Sequence, residues 1–182
     1  LSEKFIYLVT HGAKEERPNP GMTEEGKEQV RRLLPKLLEI LPNGPTEIHY
    51  GTGKRQREVV KCLDFSPNDA FVSDVWGSPA SLIKIKGKKF IVLADGSMVA
   101  WEKYKTGAHI GGPVIKAAIE NLPNNSIICS GRPVLVRLGI LPEKCQSGAI
   151  YKITVDESSQ RETLPVELIQ SGVNLSDDGA QV

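Results

Sequence analysis

Three short segments bring together an imidazole, several cations and glycine turns. The first runs Phe5-Ile6-Tyr7-Leu8-Val9 into Thr10-His11-Gly12. The second is His49-Tyr50-Gly51-Thr52-Gly53 followed by Lys54-Arg55-Gln56-Arg57-Glu58. The third is Ile127-Ile128-Cys129 followed by Ser130-Gly131-Arg132. Each reads as an apolar strand running into a glycine-containing turn, and the last two continue into a helix. In open α/β sheets ligands bind at the C-terminal ends of strands, where loops and helix N-termini converge. Free backbone N–H groups at a helix start, joined by arginines, form an anion site, and a phosphate is the usual guest. These residues outline a phosphate-handling pocket with His11 inside it. The His-Gly pair alone suits a strand-capping histidine equally well. Lys54 and Arg57, taken singly, read as surface cations on a solvated helix face.

The elements that must position these residues follow from periodicity. Residues 5–9 form the first strand. Ala13 to Met22 is charged, carries Pro18, Pro20 and Gly21, and reads as a loop. Thr23 N-caps a helix whose first turn holds Glu24 and Glu25, placed to favour the positive end of the helix dipole. Val30, Leu33, Leu34, Leu37, Leu38 and Leu41 recur at helical spacing, and Pro35 should kink the helix. Glu47–Tyr50 is a second strand and Lys54–Leu63 a second helix. Phe71–Val75 is a weaker strand or an extended connection. Leu82–Lys86 and Phe90–Ala94, around a Gly-Lys turn, suggest a β-hairpin, to which Ser97–Tyr104 would add a third strand after the Asp95-Gly96 turn. Val114–Leu122 is helical, Ser126–Cys129 a buried strand, Pro133–Leu138 a helix and Gly148–Val155 a strand. Glu162–Leu168 is a candidate last strand, with a polar, frayed tail beyond Ser171. Strands alternating with helices give an α/β fold: a three-layer sandwich with a mostly parallel central sheet, helices on both faces, and an inserted β-hairpin around 82–104.

Composition narrows the setting. The 182 residues fit a single domain, with an insertion at about 76–112. Lys plus Arg number 23 against 22 Asp plus Glu, so charge balance argues against a nucleic-acid or membrane partner. Cys62, Cys129 and Cys145 are odd in number, widely spaced and without a CxxC, which implies neither a disulfide framework nor a zinc site. A reducing cytoplasm is the expected location. No apolar run approaches a membrane span, and no secretory leader pattern is seen.

The order of these motifs resembles the histidine phosphatase superfamily, also called phosphoglycerate mutase-like, over roughly residues 5–155. That family's first strand ends in Arg-His-Gly, here Thr10-His11-Gly12. Its Leu-Thr-x-x-Gly helix start is similar to Met22-Thr23-Glu24-Glu25-Gly26. Its Ser-Ser-Pro-Leu-x-Arg-Ala-x-x-Thr motif falls on Tyr50 to Val59 and places the pocket arginine on Arg55. Its late Ser-His-Gly falls on Cys129-Ser130-Gly131, followed by a strand like Gly148–Ile153. The resemblance implies metal-independent, cofactor-free phosphoryl transfer to His11, through a phosphohistidine whose N–P bond hydrolyses readily. Around it, cations and a second histidine would hold the phosphoryl oxygens, and a carboxylic acid would protonate the leaving oxygen. The resemblance places the phosphate-binding set on Thr10, Gly12, Arg55, Ser130 and Gly131, to which this chain adds Arg132 and His109 as candidates. Asp74 stands where the family keeps its acid, although an aspartate before a turn is also an ordinary capping residue.

Two positions depart from the family pattern. Thr10 replaces the arginine before the nucleophile, and Ser130 replaces the second histidine. Losing one preorganised donor to transition-state charge costs about 10²–10³ in rate. Arg132, Lys14 and the loop residue His109 are the candidate substitutes, whereas His49 at the end of the second strand reads as structural. Three functions follow: hydrolysis of a phosphorylated small molecule or phosphoprotein at low activity; non-catalytic binding of a phosphate ligand or protein; and a mutase, which the two departures disfavour most. The open edge of the inserted hairpin also offers a place for a second subunit to pair.

Overall fold

The computed structural model describes residues 3–15, 20–65, 69–77, 80–93, 96–106, 112–158 and 161–174. In chain order the elements are β1 (Glu3–Thr10), α1 (Glu24–Arg31), α2 (Leu34–Ile40), β2 (Glu47–Tyr50), α3 (Lys54–Leu63), β3 (Asp69–Val72), β4 (Ala80–Ile85), β5 (Lys88–Leu93) and β6 (Met98–Ala100). They continue with α4 (Trp101–Lys105), α5 (Gly112–Glu120), β7 (Ser126–Ser130), α6 (Arg132–Arg137), β8 (Gln146–Ser147), β9 (Ile150–Asp156), β10 (Val166–Gln170) and β11 (Val173–Asn174).

The central sheet has the order β10-β9-β1-β7-β2-β3. Strands β1, β7, β2 and β3 are parallel, while β9 and β10 run antiparallel. Period-two alternation divides the strand residues between two cores. Ile6 and Leu8 of β1, with Ile128 of β7, face Ile115 and Ile119 of α5 and Leu135 of α6. Tyr7 and Val9, with Ile127 and Cys129, face Val30 of α1, Leu37 of α2 and Val59 and Leu63 of α3. Both faces are covered, which is why β1 and β7 read as continuous apolar runs rather than alternating ones. The three-layer sandwich expected from the sequence is the one observed.

Several boundaries differ, for local reasons. The Pro35 kink is a full break: residues 32–33 form a turn and Pro35 restarts α2 in its first turn, where its missing N–H has no partner to lose. The extended stretch expected over Phe71–Val75 ends at Val72, and a 3-10 turn, Asp74–Trp76, follows under a Ser73 cap. Gly148, at φ +60°, turns the chain, so β9 starts at Ile150 instead. The last strand begins at Val166, past Pro165, rather than at Glu162. The tail is not frayed at Val173–Asn174, which pair with β8.

The insertion is a separate three-stranded sheet, β4-β5-β6. Lys86 and Gly87, with φ of +50° and +80°, make its first turn, the two-residue form that matches strand twist. The third strand expected over Ser97–Tyr104 is only Met98–Ala100. Trp101–Lys105 is helical because Trp101 and Tyr104, three residues apart, then share one face and pack with Ile91 of β5.

Candidate active site

Parallel register sets the site. Thr10 lies level with Ser130, and Tyr50 level with Cys129, so the turns after β1, β7 and β2 leave one edge of the sheet side by side. His11 is the first residue beyond β1. Its N–H donates to the Ser130 carbonyl at 3.4 Å, and its own carbonyl accepts from the Gly148 N–H at 2.9 Å. The backbone beneath the imidazole is therefore held on one side by β7 and on the other by the Gly148 turn that precedes β9.

The ring is oriented as well. Nδ1 lies 2.9 Å from the Gly12 carbonyl oxygen. A carbonyl only accepts, so Nδ1 carries the proton and Nε2 keeps the lone pair. Nε2 points at the start of α6: a Cβ placed on Gly131 would stand 3.3 Å from it. The following loop is braced against α1 through bare backbone. A Cβ on Gly12 would run into the Gly26 carbonyl, and one on Gly26 would run into Ala13. Thr23 caps the same helix by accepting the Gly26 N–H at 3.0 Å, and the Ala13 N–H donates to Gln29 Oε1 at 2.9 Å. The Met22–Gly26 segment is thus a brace for the His11 loop.

Around the imidazole the structure buries two guanidinium groups. Arg55, in the first turn of α3, is 1% exposed, and Arg132, which opens α6, is 2% exposed, as is His11 itself. Burial lowers the His11 pKa from 6.5 to about 3; the Arg55 charge, and then Lys14 and Arg132, push the same way, against the Gly12 hydrogen bond. The ring is neutral across the physiological range. Nε and Nη1 of Arg55 are buried and find no hydrogen-bond acceptor among the described residues. Donors of this kind, beside a neutral imidazole with a free lone pair, suit an incoming tetrahedral oxyanion.

Thr10 and Ser130 are spoken for. The Thr10 hydroxyl accepts the Ala149 N–H at 2.9 Å and donates to the Ala149 carbonyl at 3.5 Å. The Ser130 hydroxyl donates to the Trp76 carbonyl at 2.5 Å. Both hydroxyls serve backbone groups at the sheet edge, one tying β1 to the start of β9 and one tying β7 to the 3-10 turn.

Asp74 belongs to that turn. Its carboxylate is exposed and accepts the Thr52 hydroxyl at 2.6 Å, while the Thr52 N–H donates to the Gly77 carbonyl at 2.7 Å. The turn therefore lies over the β2–α3 loop, on the same side of the sheet as His11. His49 is structural, bonded to Glu47 at 2.9 Å and stacked on Phe71 at 5.1 Å. His109 lies outside the described residues. Cys129 is buried within β7, and burial raises its thiol pKa, so it stays protonated rather than acting as a nucleophile.

Sequence reasoning missed three neighbours. Gln56 follows Arg55 and is 2% exposed, with Oε1 buried and without a partner among the described residues. Trp101 and Tyr104, read as strand, sit instead on α4. The Arg132 guanidinium lies over the Trp101 ring, 5.5 Å from its centroid, and the Trp101 and Tyr104 rings stack at 6.1 Å. Burial raises the Tyr104 pKa, while Arg55 and Arg132 pull it back. An aromatic pair three residues apart on a Trp-x-x-Tyr segment was the available signal.

Among the described residues no group of three or more His, Cys, Asp or Glu side chains is placed to hold a metal, and no helix is long and apolar enough to cross a membrane.

The mostly parallel six-stranded sheet covered by helices on both faces is the histidine phosphatase, or phosphoglycerate mutase-like, fold. Solved structures with this fold include the glucosyl-3-phosphoglycerate phosphatase of a mycobacterium, with a TM-score of 0.59 and 10% identity over 95% of this chain and 100% of that one. A protein assigned as an alpha-ribazole-5'-P phosphatase from Escherichia coli superimposes at 0.57, with 12% identity over 95% and 99% of the two chains. One assigned as a phosphohistidine phosphatase from Agrobacterium tumefaciens superimposes at 0.55, with 12% identity over 92% and 96%. No family model and no curated protein matches the sequence.

Proposed function

We propose that this protein is a divergent histidine phosphatase that hydrolyses a phosphomonoester, on a small molecule or a phosphoprotein, through a phosphohistidine on His11. The observation that carries this reading is the buried Arg55 guanidinium, with Nε and Nη1 unmatched, beside a His11 whose Nε2 lone pair is free. In the first step Nε2 attacks phosphorus and the bond to the leaving oxygen breaks. That oxygen takes a proton from Asp74, while Nδ1–H stays on the Gly12 carbonyl. In the second, water attacks phosphorus, the N–P bond breaks, Asp74 recovers its proton from the water, and inorganic phosphate leaves. Arg55 and Arg132 bind the oxygens on which charge develops. No metal or cofactor enters this scheme, and the three free cysteines suit a reducing, cytoplasmic setting.

Activity is expected to be low, because Thr10 and Ser130 stand where the family has cationic donors and both hydroxyls are bonded to backbone. The same observation favours a second reading, phosphate binding without turnover. Hydrolysis of para-nitrophenyl phosphate in the presence of a chelator separates the two. The phosphatase reading expects turnover that His11→Ala abolishes. Thermal stabilisation by phosphate with no turnover would instead select the binding protein.

A further inference from the structure

The fold's two missing cations raise the question of what holds the remaining ones in place, and the insertion answers it. Helix α4 follows directly from β6, and its Trp101 is 3% exposed, wedged between the Ile91 side of the small sheet and the Arg132 guanidinium. A phenylalanine would fill the same cluster without a polar atom to satisfy. Trp101 instead buries an indole Nε1–H that has no acceptor among the described residues, a penalty that packing alone does not explain. What tryptophan adds is the largest and most electron-rich face for a cation. Arg132 is the residue that needs such a face. It follows Gly131, which abuts His11 Nε2, and it stands two positions beyond Ser130, whose side chain has turned to the Trp76 carbonyl. An arginine has many rotamers, and only those lying against the pocket place charge near Nε2.

We propose that Trp101 is a positioning residue: its ring, delivered by the insertion, fixes the Arg132 guanidinium in the His11 pocket and so makes Arg132 the second phosphate-binding cation of a site that lacks cations at 10 and 130. This rests on the phosphate-handling reading of the pocket. It also gives the insertion a duty in the site itself, beyond shaping access to it. Tyr104, stacked on Trp101, backs the ring from the other end of α4.

The test is binding of inorganic phosphate and orthovanadate, measured by calorimetry on the full chain, with Trp101→Leu, Trp101→Phe, Arg132→Met and the Trp101→Leu/Arg132→Met double variant. Removing a desolvated cation–π contact is expected to weaken vanadate binding roughly ten- to thirty-fold in Trp101→Leu. Trp101→Phe, with a smaller and less electron-rich face, should recover only part of that loss. In the Arg132→Met background, Trp101→Leu should cost nothing further, because the two act through one contact. A merely structural tryptophan would lower the fraction of folded protein and leave the dissociation constant of the folded remainder unchanged. That result, or additive losses in the double variant, overturns the proposal. Wild-type protein that binds vanadate with this coupling but hydrolyses nothing would overturn the phosphatase reading and leave the role of Trp101 standing. Wild-type protein that binds neither anion would overturn both.

Discussion

His11 owes its lone pair to the Gly12 carbonyl and its neutrality to burial beside Arg55. The same burial has a consequence for stability. The folded pKa of about 3 lies below the ordinary value of 6.5, so between those limits the unfolded chain binds a proton that the folded chain refuses. Stability falls as pH drops through that window, by up to about 1.4 kcal/mol per pH unit, and is unaffected above it. Urea unfolding followed from pH 7 downward should show this slope, and His11→Asn should flatten it; an identical profile in the variant would contradict the assigned burial of the ring. Thr10 makes a complementary case. Thr10→Val keeps the shape but leaves the Ala149 N–H without its acceptor, which should cost about 1–3 kcal/mol of stability. Phosphate affinity should barely change. A large loss of affinity at unchanged melting temperature would return Thr10 to the phosphate site. His11, Arg55 and Arg132 stand out in the sequence by residue type and by the motifs they sit in, but a hydroxyl's partner depends on which carbonyl or N–H comes within reach in three dimensions. Nothing in the local sequence at Thr10 or Ser130 pointed to Ala149 or Trp76.

At the scale of elements, three strand ends and two helix starts do the positioning, and the brace between the His11 loop and α1 is the most sensitive joint. Gly12 and Gly26 meet backbone to backbone, so Gly26→Ala should force the loop off α1 and destabilise the fold by roughly 1–3 kcal/mol or more. Its activity should fall further than the folded fraction measured by circular dichroism accounts for, because displacing the loop moves Nε2. Activity that simply tracks the folded fraction would show the brace to be scaffolding only. The central strands and helices were legible because residues such as Ile6, Leu8, Ile127 and Cys129 form unbroken apolar runs, and α1 and α2 repeat leucines at helical spacing. The insertion was less so. Trp101–Lys105 carries aromatics that favour strands in isolation, and its helical state is decided by packing of Trp101 and Tyr104 with Ile91 and Arg132. Tertiary contacts outweighed propensity at the place where the insertion meets the site.

Across the whole molecule, a doubly covered sheet carries the site at its strand ends, while a separate three-stranded sheet backs α4, whose Trp101 meets Arg132. The edges of that small sheet are β4 and β6, and Lys84 on β4 lies directly opposite Lys89 of β5. A lysine on an edge strand discourages strand addition. The likeness to solved phosphatase structures at 10–12% identity is a likeness of the backbone frame. The central claim is that His11 still accepts a phosphoryl group inside that frame. Rapid acid-free quenching of the protein during turnover of para-nitrophenyl phosphate, followed by peptide mass spectrometry and phosphorus NMR, tests it directly. The account predicts an acid-labile phosphoryl group on His11 Nε2 that is lost in His11→Asn. A label on any other residue, or hydrolysis that proceeds with no labelled histidine, would contradict it.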